Sequence, residues 1–195
     1  MIAVVKYNAG NIRSVLCALE RLEVEARVTD DPAVLRHADK VIFPGVGEAS
    51  TAMACLRKSG LDEVLTELTQ PFLGICLGMQ LMCSFSEEHD TRCLGMFDTT
   101  VRRFPSGAGC KIPHMGWNTI DCSDDPLFAG IAPESYVYFV HSYYAPTCGG
   151  TIATCGYAGL TFSCALRKDN FRGVQFHPEK SGAVGERILR NFLAL

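Results

Sequence analysis

The sequence has little excess charge of either sign. Its 18 lysine and arginine residues are nearly balanced by 21 aspartate and glutamate residues, which gives a formal net charge of −3 over 195 residues. Nucleic acids and anionic membranes bind proteins through clustered basic side chains, and this composition offers no basic face. We therefore expect no nucleic acid and no membrane among the partners.

Paired metal-ligand spacing is missing as well. No CxxC or HExxH sequence occurs, and the five histidines are widely separated. The ten cysteines are scattered along the chain, below the density of disulfide scaffolds. We therefore predict no metal, no cofactor and reduced thiols, as in a cytoplasmic protein.

The sequence has no hydrophobic run long enough to predict a membrane-spanning helix. Residues 71–86 carry no charge, but this stretch is short and is interrupted by Gly74, Gly78, Gln80 and Ser84. A buried strand followed by a buried helix explains it better.

The length and apolar content favour one domain. A chain of 195 residues that is 48% hydrophobic can bury a single large core, so we expect one domain spanning residues 1–195. In the first half, strand patterns alternate with helical patterns, which predicts an α/β fold with a parallel sheet. The predicted elements are strands 2–6, 24–28 and 40–43, helices 12–22 and 33–37, and a helical stripe at Leu61, Val64, Leu65 and Leu68.

The second half breaks into shorter strand patterns separated by Gly, Pro, Asp and Ser, so we expect the sheet to become mixed there. The predicted strands are 96–104, 117–121, 136–141, 151–155, 161–166 and 171–175, followed by a closing helix over 184–195.

Residues 71–80, PFLGICLGMQ, are typical of a nucleophile elbow, in which an apolar strand turns abruptly into a helix. Gly74 and Gly78 remove side chains where strand and helix crowd together. The turn would lift the Cys76 sulfur off the backbone, where it could attack a carbonyl. Cys76 could instead be one more buried thiol, since free cysteine is a common small hydrophobe.

A histidine and a carboxylate follow a strand pattern far downstream, in the sequence FHPEK at residues 176–180. Residues two apart in extended chain project to the same side, so His177 and Glu179 can lie together. With Cys76 they supply a nucleophile, a base and a group that orients the base. We weigh this interpretation above a lone structural histidine.

Together, GICLGMQ and HPE resemble the class I (triad) glutamine amidotransferases, and the resemblance covers essentially the whole chain. Within that class, further segments resemble the glutaminase subunits of imidazole glycerol phosphate synthase. These segments are YNAGNIRSV (7–15), PGVG (44–47), KIPHMGWN (111–118) and YFVHSY (138–143). The implied fold is a single-domain class I glutamine amidotransferase fold, with a mixed, mostly parallel central sheet, helices on both faces and a nucleophile elbow.

The resemblance implies hydrolysis of glutamine to glutamate and ammonia through a thioester on Cys76, with His177 as acid and base and Glu179 orienting it. It also implies two further sets of site residues. The oxyanion hole maps to Val46, Gly47 and Leu77. The glutamine-binding groups map to Gln80, Glu88 and the backbone of His141, Ser142 and Tyr143. Because glycines flank Val46, we expect its peptide to rotate toward the site only when a partner holds its own substrate.

The implied partner is a (β/α)₈ cyclase subunit that forms a heterodimer with this chain. The cyclase would use the ammonia to make imidazole glycerol phosphate and aminoimidazole carboxamide ribotide (AICAR) from a phosphoribulosyl precursor (PRFAR) in histidine biosynthesis. Exposed aromatic side chains suit such an interface. The candidate docking residues are Asn11, Arg13, Pro113, Met115, Trp117, Tyr138 and Lys180.

Three alternatives stay open at this point. The chain could serve another synthase, for anthranilate, aminodeoxychorismate or pyridoxal phosphate, although the segments at 7–11 and 111–118 argue against this. It could be a non-catalytic scaffold of the same fold, although Cys76, His177 and Glu179 are intact. It could also be a cysteine peptidase or amidase of similar fold, which would hydrolyse peptides.

Overall fold

The computed structural model describes residues 1–8, 10–105 and 111–195. Ala9, which belongs to the segment 7–15 noted above, lies outside the described residues. The helices are α1 (Ile12–Arg21), α2 (Pro32–His37), α3 (Ala49–Ser59), α4 (Leu61–Thr66), α5 (Leu77–Met82) and α6 (Gly182–Ala194). The strands are β1 (Ile2–Val5), β2 (Ala26–Thr29), β3 (Lys40–Gly45), β4 (Phe72–Cys76), β5 (Cys83–Ser86), β6 (Thr91–Arg92), β7 (Phe97–Arg103), β8 (His114–Cys122), β9 (Ser135–His141), β10 (Tyr143–Pro146), β11 (Thr151–Tyr157), β12 (Leu160–Lys168) and β13 (Phe171–Val174).

Parallel strands form the centre of the sheet, in the order β2-β1-β3-β4-β13. From β13 the pairing becomes antiparallel through β12, β10 and β7, and β5 is parallel to β7. Strands β11, β8 and β9 extend antiparallel from β12. The predicted α/β fold, with a mixed sheet that is parallel at its centre, is confirmed.

Helices cover both faces of the central strands. Val4 packs in one apolar cluster with α1 and α6, whereas its neighbour Val5 packs in a second cluster with α2, α3, α4 and α5. Successive strand residues project to opposite faces, so each central strand contributes to both cores. Burying one such side chain contributes roughly 1.5–3 kcal/mol, which makes these two cores the main support of the sheet.

The register of the parallel strands brings three segments together at one edge of the sheet. Gly45 at the end of β3 pairs with Cys76 at the end of β4, and Val174 at the end of β13 pairs with Ile75. The carboxyl ends of neighbouring parallel strands lie at the same edge, and ligands bind there in open α/β sheets. The residues just after β3, β4 and β13 therefore meet.

The first half follows the predicted order of elements, with one element missed and one shifted. Helix α3 was missed because its small residues give only a weak apolar stripe; it ends at Gly60, which has φ +70°. Strand β2 begins at Ala26, two residues later than predicted, because the turn that follows α1 extends to Val24. Glu23 has φ +60°, and the Val24 amide donates to the Leu19 carbonyl.

In the second half the predicted strands are present, but several are longer. Strand β8 begins at His114, three residues before the predicted start, and β11 and β12 each extend two residues beyond the predicted end. The short strands β5, β6 and β10 were missed. Each has only two to four residues, too few for an alternating pattern to be recognised.

Candidate active site

Cys76 lies at a sharp turn between β4 and α5. Its backbone has φ +55° and ψ −111°, a region that non-glycine residues rarely adopt. The turn is possible because Gly78 has no side chain: a Cβ there would collide with the Phe43 carbonyl of β3. Strained conformations of this kind cost about 1–3 kcal/mol and cluster at functional sites. The structure thus places the Cys76 thiol at the elbow that the sequence predicted.

His177 and Glu179 lie beside Cys76, directly after β13. His177 Nδ1 is 2.7 Å from Glu179 Oε1, so the ring donates to the carboxylate, and both side chains are fully buried. The His177 amide also donates to the Tyr138 carbonyl of β9, at 2.9 Å. Among the described residues, His177 Nε2 and Glu179 Oε2 have no hydrogen-bond partner. His177 Nε2 is therefore free to exchange a proton with a reacting group.

The charged form of His177 is favoured. Burial lowers the pKa of the imidazole, but the charge of Cys76, and the charge and hydrogen bond of Glu179, outweigh it and raise the pKa to about 10. This is the electrostatic signature of a cysteine and histidine that share a proton.

Asn11 also contacts the His177–Glu179 pair, although the sequence analysis predicted it for the docking face. Its Nδ2 donates to Glu179 Oε1 at 2.5 Å and lies 3.3 Å from His177 Nδ1. The backbone of Asn11 has φ +73° just before α1, and its side chain does not cap that helix. Asn11 is half-buried and its amide turns inward, so the site includes a fourth polar group that the sequence did not suggest.

Gln175 is a second polar group that the sequence analysis missed. Its Nε2 lies 3.7 Å from Cys76 Sγ, and its Oε1 accepts from Gln80 Nε2 at 2.9 Å. Gln80 Nε2 also donates to the Tyr143 carbonyl, at 3.0 Å. The available signal was a glutamine between the apolar residues Val174 and Phe176, which predicts a buried amide in need of partners.

A pocket of about 400 Å³ opens beside Cys76. This volume is within the range of small-molecule sites, roughly 300–1,000 Å³. All eight residues assigned to the oxyanion hole and to glutamine line it, together with Pro113 and Val140: Val46, Gly47, Leu77, Gln80, Glu88, His141, Ser142 and Tyr143.

Two of these pocket residues have partners that restrict their roles. Glu88 Oε2 accepts from the Ala49 amide at the start of α3, at 2.8 Å. The His141 side chain is buried, and its Nδ1 donates to the Tyr143 carbonyl at 2.7 Å. Since the His141 ring is bound inside the protein, only its backbone remains to contact a ligand, as the sequence analysis assumed.

Behind the pocket, His141 contacts a second buried histidine. His114 Nδ1 donates to His141 Nε2 at 3.0 Å, and Asn118 Nδ2 lies 3.3 Å from His114 Nε2. Burial lowers the pKa of His141 to about 3 and that of His114 to about 4. Both rings are therefore neutral at pH 7, and their hydrogen bonds need no charge.

The hairpin of β8 and β9 presents apolar side chains to solvent. Met115 and Trp117 are 62% and 56% exposed, and the Trp117 ring lies 6.0 Å from the half-buried Tyr138. Tyr136, 60% exposed on β9, completes this aromatic patch but was not predicted. Arg13, Pro113 and Lys180 are also exposed, as a docking surface requires. The aromatic patch consists of Met115, Trp117, Tyr136 and Tyr138.

Two kinds of feature are absent from the described part of the chain. No helix in residues 1–8, 10–105 or 111–195 is both long enough and apolar enough to cross a membrane. The same residues contain no group of three or more His, Cys, Asp or Glu side chains arranged to hold a metal.

The chain is similar to known proteins over its whole length. The family model described as glutamine amidotransferase class-I matches residues 4–195. Proteins named imidazole glycerol phosphate synthase subunit HisH are 62% identical in Bacteroides fragilis and 60% identical in Bacteroides thetaiotaomicron, each covering 100% of this chain and 99% of the relative. The relative of that name in Shewanella sediminis is 50% identical, covering 98% of this chain and 89% of its own length.

Solved structures share the fold at low identity. A structure described as a glutamine amidotransferase has a TM-score of 0.76 at 20% identity, covering 99% of this chain and 97% of its own. The PurLQS structure from Thermotoga maritima has a TM-score of 0.71 at 17% identity, with the same coverage.

Proposed function

Because the chain belongs to the class I glutamine amidotransferase family, we propose that Cys76, His177 and Glu179 hydrolyse glutamine inside the pocket described above. The chain works as the glutaminase subunit of an imidazole glycerol phosphate synthase, in histidine biosynthesis. The observation that carries the residue assignment is the buried His177–Glu179 pair, 2.7 Å apart, beside a cysteine held at an elbow. One glutaminase domain spanning 1–195 accounts for these residues.

The reaction proceeds through a thioester in this proposal. His177 Nε2 takes the thiol proton of Cys76, and the sulfur attacks the side-chain amide carbon of glutamine. His177 then gives the proton to the departing nitrogen, which leaves as ammonia. A water molecule that His177 deprotonates cleaves the thioester, releasing glutamate and restoring the thiol. Glu179 holds the ring in the tautomer that these steps need.

The former amide oxygen becomes negatively charged in the tetrahedral intermediate. Leu77, Val46 and Gly47 line the pocket, and in this proposal their backbone amides donate to that oxygen. One such donor contributes roughly 10²- to 10³-fold in rate. Gly47 has φ +113°, which few residues other than glycine adopt, and this supports a peptide that changes orientation.

Two side chains suit the amino-acid end of glutamine. The Glu88 carboxylate lines the pocket and retains one oxygen besides the Oε2 that the Ala49 amide occupies, so it can accept from an ammonium group. Both N–H groups of Gln80 are already donated within the protein, which leaves its Oε1 as an acceptor for the same ammonium. Residues 141–143 also line the pocket, and their backbone would contact the α-carboxylate of glutamine.

The chain works with a cyclase subunit in the synthase complex, and we assign that subunit a (β/α)₈ fold and a heterodimeric arrangement in the cytoplasm. The aromatic patch is the central docking surface in this proposal. It lies on the strand that supports the active site, because the Tyr138 carbonyl accepts from His177 and its amide donates to Ser181 Oγ at 3.0 Å. Main-chain hydrogen bonds of Tyr138 therefore connect the docking surface to the segment that carries His177.

Glutamate release from glutamine tests the proposal. The purified chain should release glutamate slowly alone and much faster with the cyclase subunit and its nucleotide ligand, and Cys76→Ala should abolish both rates. Trp117→Ala should weaken the response to the partner and leave the rate of the isolated chain unchanged. Equal rates with and without the partner would contradict the assigned dependence, and no release under any condition would leave the scaffold alternative.

A further inference from the structure

We propose that Gln175 is a catalytic residue whose side-chain amide donates a hydrogen bond to the Cys76 sulfur and stabilises the thiolate. This inference rests on the proposed function, since it assigns a new role within the same site. It adds a fourth contact to the chemistry of the nucleophile, beyond the base, the group that orients the base and the oxyanion donors.

The position of Gln175 follows from the sheet. Strand β13 runs parallel to β4 with Val174 paired to Ile75, so the next residue on each strand lies beside the other. Gln175 is fully buried, and its Nε2 is 3.7 Å from Cys76 Sγ. Its backbone amide donates to the Cys164 carbonyl at 2.8 Å, which fixes the main chain at this point.

The direction of the Gln175 amide is determined by its neighbours. The Tyr143 carbonyl can only accept, so the Gln80 group that faces it must be the NH₂. That same NH₂ faces Gln175, whose carbonyl oxygen must therefore point to Gln80. The NH₂ of Gln175 is left facing the sulfur. The opposite orientation would set two NH₂ groups against each other and a carbonyl oxygen against the thiolate.

This donor acts at the two points where the sulfur carries charge. Before attack, it stabilises the thiolate that forms when His177 takes the proton. When water cleaves the thioester, the C–S bond breaks, its electron pair returns to sulfur, and the N–H group again faces an anion. A neutral thioester sulfur accepts more weakly, so the hydrogen bond favours the charged states. While the sulfur is protonated, the thiol can donate to the Val140 carbonyl, 3.9 Å away.

Other titratable groups near Cys76 are His177, Glu179, Tyr7, Glu88 and His141. Burial, reinforced by the charge of Cys76, raises the pKa of Tyr7, whose hydroxyl donates to the Pro44 carbonyl at 2.9 Å. A substitution at Gln175 leaves all five groups in place, so a changed titration of Cys76 reports the lost donor.

The test is the pH dependence of Cys76 alkylation by iodoacetamide, measured on Cys76-containing peptides by mass spectrometry in the full chain. Gln175→Met removes the donor at similar size. It should raise the midpoint of the rate profile by about one to two pH units, the shift expected when a hydrogen bond to a charged group is lost. The rate at high pH, where every sulfur is ionised, should match that of the unaltered chain.

Gln70→Met is the matched control, since the Gln70 amide donates to the Leu35 carbonyl at 2.7 Å and does not line the pocket. It should leave the midpoint unchanged. Gln175→Glu keeps the shape of the side chain and should raise the midpoint further by placing a carboxylate against the sulfur; it carries the test if Gln175→Met fails to fold.

An unchanged midpoint in a folded Gln175 variant would overturn the proposal and leave Gln175 a packing residue. Alkylation needs no glutamine and no partner, so this result is independent of glutamate release. A chain that never releases glutamate but shows the shifted midpoint would refute the proposed function and keep the hydrogen bond.

Discussion

The two sides of the pocket are built differently. On the nucleophile side, the side chains of His177, Glu179, Asn11 and Gln175 are connected by hydrogen bonds of 2.5–3.7 Å that converge on Cys76 and its base. On the opposite side, neither the Val46 peptide nor the Gly47 peptide has a hydrogen-bond partner among the residues that the structure describes. We therefore infer that the proposed nucleophile is assembled in advance, whereas the proposed oxyanion side remains adjustable.

The largest expected effect is the loss of the nucleophile. Cys76→Ala should lower glutamate release by at least about 10⁴-fold, because no other group can form the thioester. Cys76→Gly should lose activity equally but be more stable than Cys76→Ala to denaturant, since glycine adopts φ +55° without strain. Activity assays and urea unfolding measure the two quantities. Equal stability of the two variants would show that the elbow stores no strain.

The adjustable side is tested by Gly47→Ala. A Cβ at φ +113° is disfavoured, so the segment should move and partner-stimulated glutamate release should fall by about 10²-fold, comparable to the loss of one oxyanion donor. Alkylation of Cys76 should be unchanged.

Gly95→Ala is the matched control, because Gly95 also has positive φ, +77°, and open space around it, but does not line the pocket. Gly95→Ala should lower the stability of the folded chain and leave both glutamate release and Cys76 alkylation unchanged. A parallel fall in alkylation for Gly47→Ala would mean that the two sides of the pocket are not independent.

A smaller effect is expected at Asn11. Asn11→Gly keeps the backbone at φ +73° but removes the amide that Glu179 accepts from, so glutamate release should fall by about tenfold. Asn8→Gly, at an exposed position in the same loop, should have no effect. If Asn11→Gly loses only the response to the partner, Asn11 is a docking residue, as the sequence suggested, and does not position Glu179.

Substitution in the buried pair His114 and His141 should have the smallest effect on activity at neutral pH. It should, however, clearly change how stability depends on pH. His114 and His141 have folded pKa values of about 4 and about 3, below the unfolded value of about 6.5. Their contribution to stability is fully present above pH 6.5 and is lost as pH falls toward 4, at about 1.4 kcal/mol per pH unit for each ring.

His114→Phe keeps the stacking on Phe139 but removes one of the two rings that take up a proton on unfolding. The variant should therefore lose less stability on acidification than the unaltered chain. His37→Gln, at an exposed site, should follow the unaltered chain. Urea unfolding between pH 7.5 and 4 measures the slopes, and equal slopes for the unaltered chain and His114→Phe would contradict the account.

The sequence predicted the central fold well, because alternating apolar patterns and a glycine-bracketed elbow are local signals. Cys76, His177 and Glu179 could be proposed as a triad for the same reason, since each stands in a short recognisable segment. The sequence did not predict the contact of Asn11 with Glu179 or that of Gln175 with Cys76. These pairs are 168 and 99 positions apart in the chain, and only the folded sheet brings them together. Short strands such as β10 were missed because they are defined by pairing with neighbouring strands and not by a pattern in their own few residues.

The central claim is that the nucleophile side is complete before the partner binds and the oxyanion side is not. The most direct test compares two rates in the same samples, with and without the ligand-loaded cyclase subunit: Cys76 alkylation by iodoacetamide and glutamate release. The account predicts a large rise in glutamate release with little change in the midpoint or plateau of alkylation. A parallel rise in both rates would show that the partner assembles the nucleophile as well, and would contradict the claim.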